Sequence, residues 1–188
     1  MKEQELLDKA LKFYQAKGKE LNAIEAFRNL LSKYPENDQG WAHLSTMQMQ
    51  ISDYDKSISS INKAIEIKPN NFWYFRQKAT LQRHILNYPS ENQNYFNEKT
   101  REAYLIEAYE SRNELHIDYD KTLNTIVTLE PQNEKVVFET TQQIARNHQE
   151  IGNYEIAIQH LEKSKSAIPK IYSAVSYTHL TLPTTPYV

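Results

Sequence analysis

Between Trp41 and Asn71 the chain reads WAHLSTMQMQISDYDKSISSINKAIEIKPNN, with apolar positions at helical spacing in two runs. The runs part at Ile51–Asp53 and close at Pro69 with two asparagines. This pattern predicts two amphipathic helices joined by a tight turn. Upstream, Leu6, Leu7, Ala10, Leu11 and Tyr14 share one face of a helix over about 5–16, which Lys17-Gly18-Lys19 breaks. A second helix, about 20–33, turns Ala23, Ile24, Phe27, Leu30 and Leu31 inward. It stops at Tyr34-Pro35, because a residue preceding proline avoids the α region. Pro69 lies 34 residues after Pro35. A period of that length with helix–turn–helix texture points to a helical solenoid rather than one closed core.

The next stretch, FWYFRQKATLQRHILNY, continues as a helix with Phe75, Ala79 and Leu86 apolar. Residues 88–97 are polar, contain Pro89 and read as a loop. A helix over about 98–115 follows, and Asp118-Tyr119-Asp120-Lys121, echoing Asp53-Tyr54-Asp55-Lys56, predicts the start of another that stops at Glu130-Pro131. The interval from Pro69 to Pro131 is too long for one repeat and too short for two. It reads as an irregular repeat with an inserted helix, or as two repeats with a deletion. A regular unit returns over about 132–169, with Ile144, Ala145, Gly152, Tyr154, Ala157, Leu161 and Pro169 in the repeat positions.

These residues resemble the tetratricopeptide repeat, a 34-residue unit with an aromatic, Leu, small, Tyr series on helix A and Ala, aromatic or Leu, Ala and a closing Pro on helix B. In the first unit the matching residues are Leu7, Ala10, Leu11, Tyr14, Gly18, Ala23, Phe27, Leu30 and Pro35. In the second they are Trp41, Leu44, Ser45, Gln48, Tyr54, Ser57, Ile61, Ala64 and Pro69. Leu11 departs from the pattern, being large where a small residue is usual. The resemblance implies an all-α fold, a right-handed superhelical solenoid of antiparallel helix pairs with an irregular middle repeat. Its units fall at about 4–37, 38–71, 72–131 and 132–169, with a further helix starting over 170–174. The expected core includes Leu7, Phe27, Trp41, Leu44, Ile61, Ala64, Phe75, Ile144, Ala157 and Leu161.

Composition narrows the chemistry. The 188 residues are 39% hydrophobic and 24% charged, enough for one domain with a core. A net charge of −2 argues against a module dominated by phosphate contacts to nucleic acid. The absence of cysteine removes disulfides, thiolate metal sites and cysteine nucleophiles. The three glycines, Gly18, Gly40 and Gly152, are too scattered for a phosphate loop or nucleophile elbow. No metal spacing is present: His43, His84, His116, His148 and His160 are scattered singly, and His179 lies near the end. No cofactor is implied. The N-terminus is charged throughout and no apolar run reaches membrane-spanning length, so the expected location is the cytoplasm, with no membrane partner.

The last stretch, VSYTHLTLPTTPYV at 175–188, breaks the helical texture. Its back-translation resembles the end of a transposase-based sequencing adapter, so it is read as a non-native tail and the chain as an N-terminal fragment of a longer protein.

The resemblance implies function through the groove lined by the A helices, which in such arrays binds extended peptides or helices. The positions carried over are Lys9 and Lys12 in the first unit, His43 and Met49 in the second, and Trp73, Arg76, Gln77, Thr80, Arg83 and His84 in the third. Arg146 is the candidate in the last. Trp73, Gln77, Thr80 and His84 fall at i, i+4, i+7 and i+11 as one stripe flanked by Arg76 and Arg83, the composition of an interface hot spot for a partner with acidic and apolar features. Against this stands the reading in which Trp73 packs on the irregular middle and the arginines are merely solvated. The carboxylate clamp of some chaperone-binding members is not expected, because Asp8 joins Lys12 and His43 at its positions and would repel a carboxylate. The leading expectation is a non-catalytic protein-interaction scaffold. The alternative is the repeat segment of a longer enzyme, such as a transferase, and a third reading is self-association through the open C-terminal end.

Overall fold

The structure, a computed structural model, describes residues 2–87 and 98–166. It is all-helical among the described residues: α1 (Glu3–Tyr14), α2 (Glu20–Lys33), α3 (Asp38–Gln50), α4 (Tyr54–Ile67), α5 (Phe72–Asn87), α6 (Glu98–Leu129), α7 (Glu134–Glu150) and α8 (Tyr154–Ser166). The expected loop at 88–97, the helix start at 170–174 and the tail at 175–188 lie outside the described residues. The chain divides into two compact units, 1–130 and 131–188.

In the first unit each helix packs on the next, α1 on α2 through to α5 on α6, and α1 also touches α3. One cluster joins the first three helices: Leu6, Leu7 and Ala10 meet Ala23, Ile24, Phe27, Leu30 and Leu31, and Leu44 and Met47 close it from α3. A second gathers Ala42, Ile61, Ala64, Tyr74 and Leu81 from α3, α4 and α5. Small residues set the closest approach. Ser45 and Ser57 are buried with their hydroxyl oxygens 3.0 Å apart, and Ser57 donates to the Ser45 carbonyl at 2.8 Å. Neither hydroxyl is left unsatisfied, which is why serine can stand there in place of alanine.

The helix starts follow local chemistry. Asn37 caps α3 by accepting from the Gly40 amide at 2.6 Å, and Asn133 caps α7 by accepting from Val136 at 3.3 Å. A Cβ on Gly40 would lie 2.9 Å from that capping oxygen and about as close to Leu31 and Leu30, so glycine is required by space.

The two interhelix turns built on Ile51–Asp53 and Ile151–Asn153 carry the same backbone hydrogen bonds, including Asp53 to Gln48 at 2.9 Å and Asn153 to His148 at 2.8 Å. Both need a left-handed residue, Ser52 at φ 60° in one and Gly152 at φ 79° in the other. In the second unit, α7 buries Ile144 and Ala145 beside Ala157 of α8, and the rings of His148 and His160 stack in parallel 5.9 Å apart.

Four expectations are corrected. Residues 98–129 form one continuous helix, so Asp118-Tyr119-Asp120-Lys121 lies inside α6 and does not open a helix. The motif needs a left-handed residue before it, as Ser52 supplies before Asp53, and no Gly or Pro interrupts 98–129. Phe75 is only half-buried, and Phe72 and Tyr74 fill that end of α5. Trp41 and Leu161 are also half-buried. The Trp41 indole N–H donates to the Pro35 carbonyl at 2.7 Å, which holds its edge at the surface, and Leu161 lies on α8, which packs on α7.

Candidate partner-binding face

Helix α5 begins where Pro69 ends α4, and the Asn71 side chain accepts from the Trp73 amide at 3.1 Å. The helix then divides its residues between interior and surface. Phe72, Tyr74, Ala79, Leu81, Gln82 and Leu86 are buried. Trp73, Arg76 and Thr80 stay exposed at i, i+3 and i+7, with Arg83 half-buried at i+10. Trp73 keeps 65% of its surface in water. The Arg76 guanidinium sits 5.5 Å from the Trp73 ring centroid and 5.7 Å from that of Phe72, so a cation covers both π faces. Thr80 donates back to the Arg76 carbonyl at 3.0 Å.

Gln77 and His84 leave this stripe. The Gln77 amide donates to the Ala42 carbonyl at 2.7 Å and to the Thr46 hydroxyl at 2.9 Å, tying α5 to α3. His84 meets the Tyr54 hydroxyl through Nε2 at 3.1 Å. At about 100° per residue, positions 77 and 84 drift to one side of Trp73 and positions 76, 80 and 83 to the other. The first side is the one that faces α3 and α4.

The remaining candidates do not converge on α5. His43 packs in the joint of α1, α2 and α3, 4.8 Å from the Tyr14 ring and stacked 5.6 Å from Phe27, and burial lowers its pKa below the ordinary imidazole value. Met49 packs half-buried against the second core cluster. Lys9 borders a separate cleft between α1 and α2, with Phe13 and Glu25. Lys12 is exposed on α1, and Arg146 is exposed on α7 in the second unit. No group of three His, Cys, Asp or Glu that could hold a metal ion occurs among the described residues.

Sequence reasoning missed the anchor that fixes α5. The Tyr74 hydroxyl donates to the Asp38 carboxylate, and Lys68 lies 2.9 Å from the same oxygen. Burial alone would raise the Asp38 pKa, but the Tyr74 and Lys68 contacts outweigh it and hold the carboxyl below its usual range. Burial and that carboxylate push the Tyr74 phenol upward. Nothing in the spacing announces a pair 36 residues apart.

Residues 38–71 match the tetratricopeptide repeat. No curated protein sequence matches the chain. Among solved structures, the chain is similar to MamA from MSR-1, at 17% identity and a TM-score of 0.52 over 80% of this chain and 68% of that one. A mutant form of MamA aligns over 94% of this chain and 80% of its own at 15% identity, with a TM-score of 0.61. The TPR2B domain of yeast Sti1, solved as a complex with an Hsp70 peptide, aligns over 84% of this chain and 96% of its own at 17% identity and a TM-score of 0.52. At these identities the likeness establishes the fold. Residues 38–71 thus carry a tetratricopeptide repeat, and over most of its length the chain shares the helix-pair fold of these repeat structures.

Proposed function

We propose that this protein is a non-catalytic interaction scaffold that takes a partner peptide or helix across the exposed face of α5. The observation that carries the reading is the pairing of Trp73, 65% exposed, with Arg76 lying over its ring. An exposed indole normally weakens solubility for no gain, whereas Trp and Arg together are the residues most enriched where binding energy concentrates. Arg76 offers a planar fork for a carboxylate and Trp73 an apolar plate, so the partner presents an acidic residue beside an apolar one. The Sti1 domain, an array of the same fold in complex with an Hsp70 peptide, is a precedent for such use. The reading places the scaffold in the cytoplasm; no described helix is long and apolar enough to cross a membrane. The repeat units implied by this reading run over about 4–37, 38–71, 72–131 and 132–169.

The test is to pan a displayed peptide library on the protein and measure the enriched peptides against a Trp73→Ala, Arg76→Gln variant. Enrichment of acidic, aromatic-containing peptides that lose binding about a hundredfold to the double variant supports the reading. Peptides that bind wild type and variant equally would overturn it.

A further inference from the structure

A cleft of about 400 Å³ opens between α2, α3 and α4, within the range of small-molecule pockets and sharing no residue with the α5 face. Its apolar wall is Leu31, Leu44 and the half-buried ring of Trp41. Arg28 and Lys56 border it from α2 and α4, and no acidic residue lines it. The lining hydroxyls differ in their commitments. Ser32 donates to the Asn29 carbonyl at 2.9 Å and Ser60 to Gln48 Oε1 at 2.7 Å, so the protons of both are spent. Lys56 spends one of its three protons on Asp53 at 2.6 Å. Arg28 enters no ion pair among the described residues, and Ser59, also in the lining, is exposed.

The donors that remain are therefore a guanidinium, an ammonium and a hydroxyl at the edge of an indole-walled apolar pocket. That set favours negative charge, and the lining holds no carboxylate to match a cationic ligand. Two cations suit a dianion better than a monoanion, and the Trp41 ring suits a flat body laid against it.

We propose that this cleft binds an aryl phosphate, with the ring against Trp41 and the phosphate between Arg28 and Lys56. The same chemistry comes either from a free aromatic phosphate or from a phosphotyrosine side chain on a protein. Either way it is a second site, on helices that the α5 reading does not use.

The chain has two tryptophans, so Trp73→Phe leaves Trp41 as the sole indole reporter. In that background, phenyl phosphate is titrated against Trp41 fluorescence in the full chain, with circular dichroism to confirm the fold of each variant. The expected result is a saturable change, weakened about tenfold by Arg28→Gln and again by Lys56→Gln. A phosphotyrosine tripeptide that binds more tightly than phenyl phosphate assigns the anion to a protein partner, and equal binding assigns it to a free ligand. Three results would overturn the proposal: no saturable change, affinity unaltered in both folded variants, or inorganic phosphate binding as tightly as phenyl phosphate. None of these touches the α5 reading, which stands or falls with the Trp73→Ala, Arg76→Gln variant.

Discussion

The Tyr74 hydroxyl of α5 donates to the Asp38 carboxylate of α3 across 36 residues of chain, inside the repeat stack. Because both groups are largely buried, removing the phenol leaves the carboxylate with Lys68 alone in a poorly solvated place. Tyr74→Phe is expected to cost about 1.5–3 kcal/mol, read as a lowered urea midpoint with an unchanged slope.

The same carboxylate sets an acid limb to stability. Its folded pKa lies below the ordinary value of 3.8, so its contribution is fully present above that pH and is lost as pH falls through the lower folded pKa. Asp38→Asn is expected to be less stable at neutral pH and to show a flatter loss of stability below pH 3.8, measured by urea melts across pH.

His43 sets a second, milder limb. Burial between the Tyr14 and Phe27 rings favours the neutral imidazole, so its folded pKa is lowered from 6.5. The stability it contributes is complete above pH 6.5 and declines as pH falls through the folded pKa. His43→Phe is expected to remove this step while leaving the Asp38 limb in place, and thermal melts between pH 7 and pH 4 would show it.

Ser52 holds a left-handed backbone that Gly152 supplies at the matching turn. A non-glycine residue is strained there by about 1–2 kcal/mol, against which glycine adds about 0.5–1 kcal/mol of unfolded-chain entropy. Ser52→Gly is expected to stabilise the first unit by about 0.5–1 kcal/mol, seen as a raised melting temperature.

Core and surface aromatics are expected to separate cleanly. Phe27 is fully buried in the first cluster, so Phe27→Ala should cost about 3–5 kcal/mol. Trp73→Ala should change stability by less than about 0.5 kcal/mol, because most of its ring already faces water. A comparable loss in both by calorimetry would mean that Trp73 is packed in solution rather than exposed.

The sequence by itself determined the first four helices and their pairing. Period, glycine and proline placed α2 at 20–33 and the turn at Ile51–Asp53, because these depend on local backbone preference and a 3.6-residue repeat. A local motif misled where its context was missing, as at Asp118, which lacks the left-handed residue that makes Asp53 a helix start. The tertiary structure alone decided which way α5 turns. Trp73, Gln77, Thr80 and His84 share one face by spacing, yet Gln77 is taken up by Ala42 and Thr46 and His84 by Tyr54, while Arg76 folds over Trp73. A helix rotates about its axis at little cost until its neighbours fix it, and the Asp38–Tyr74 bond that does so here joins residues no local pattern connects.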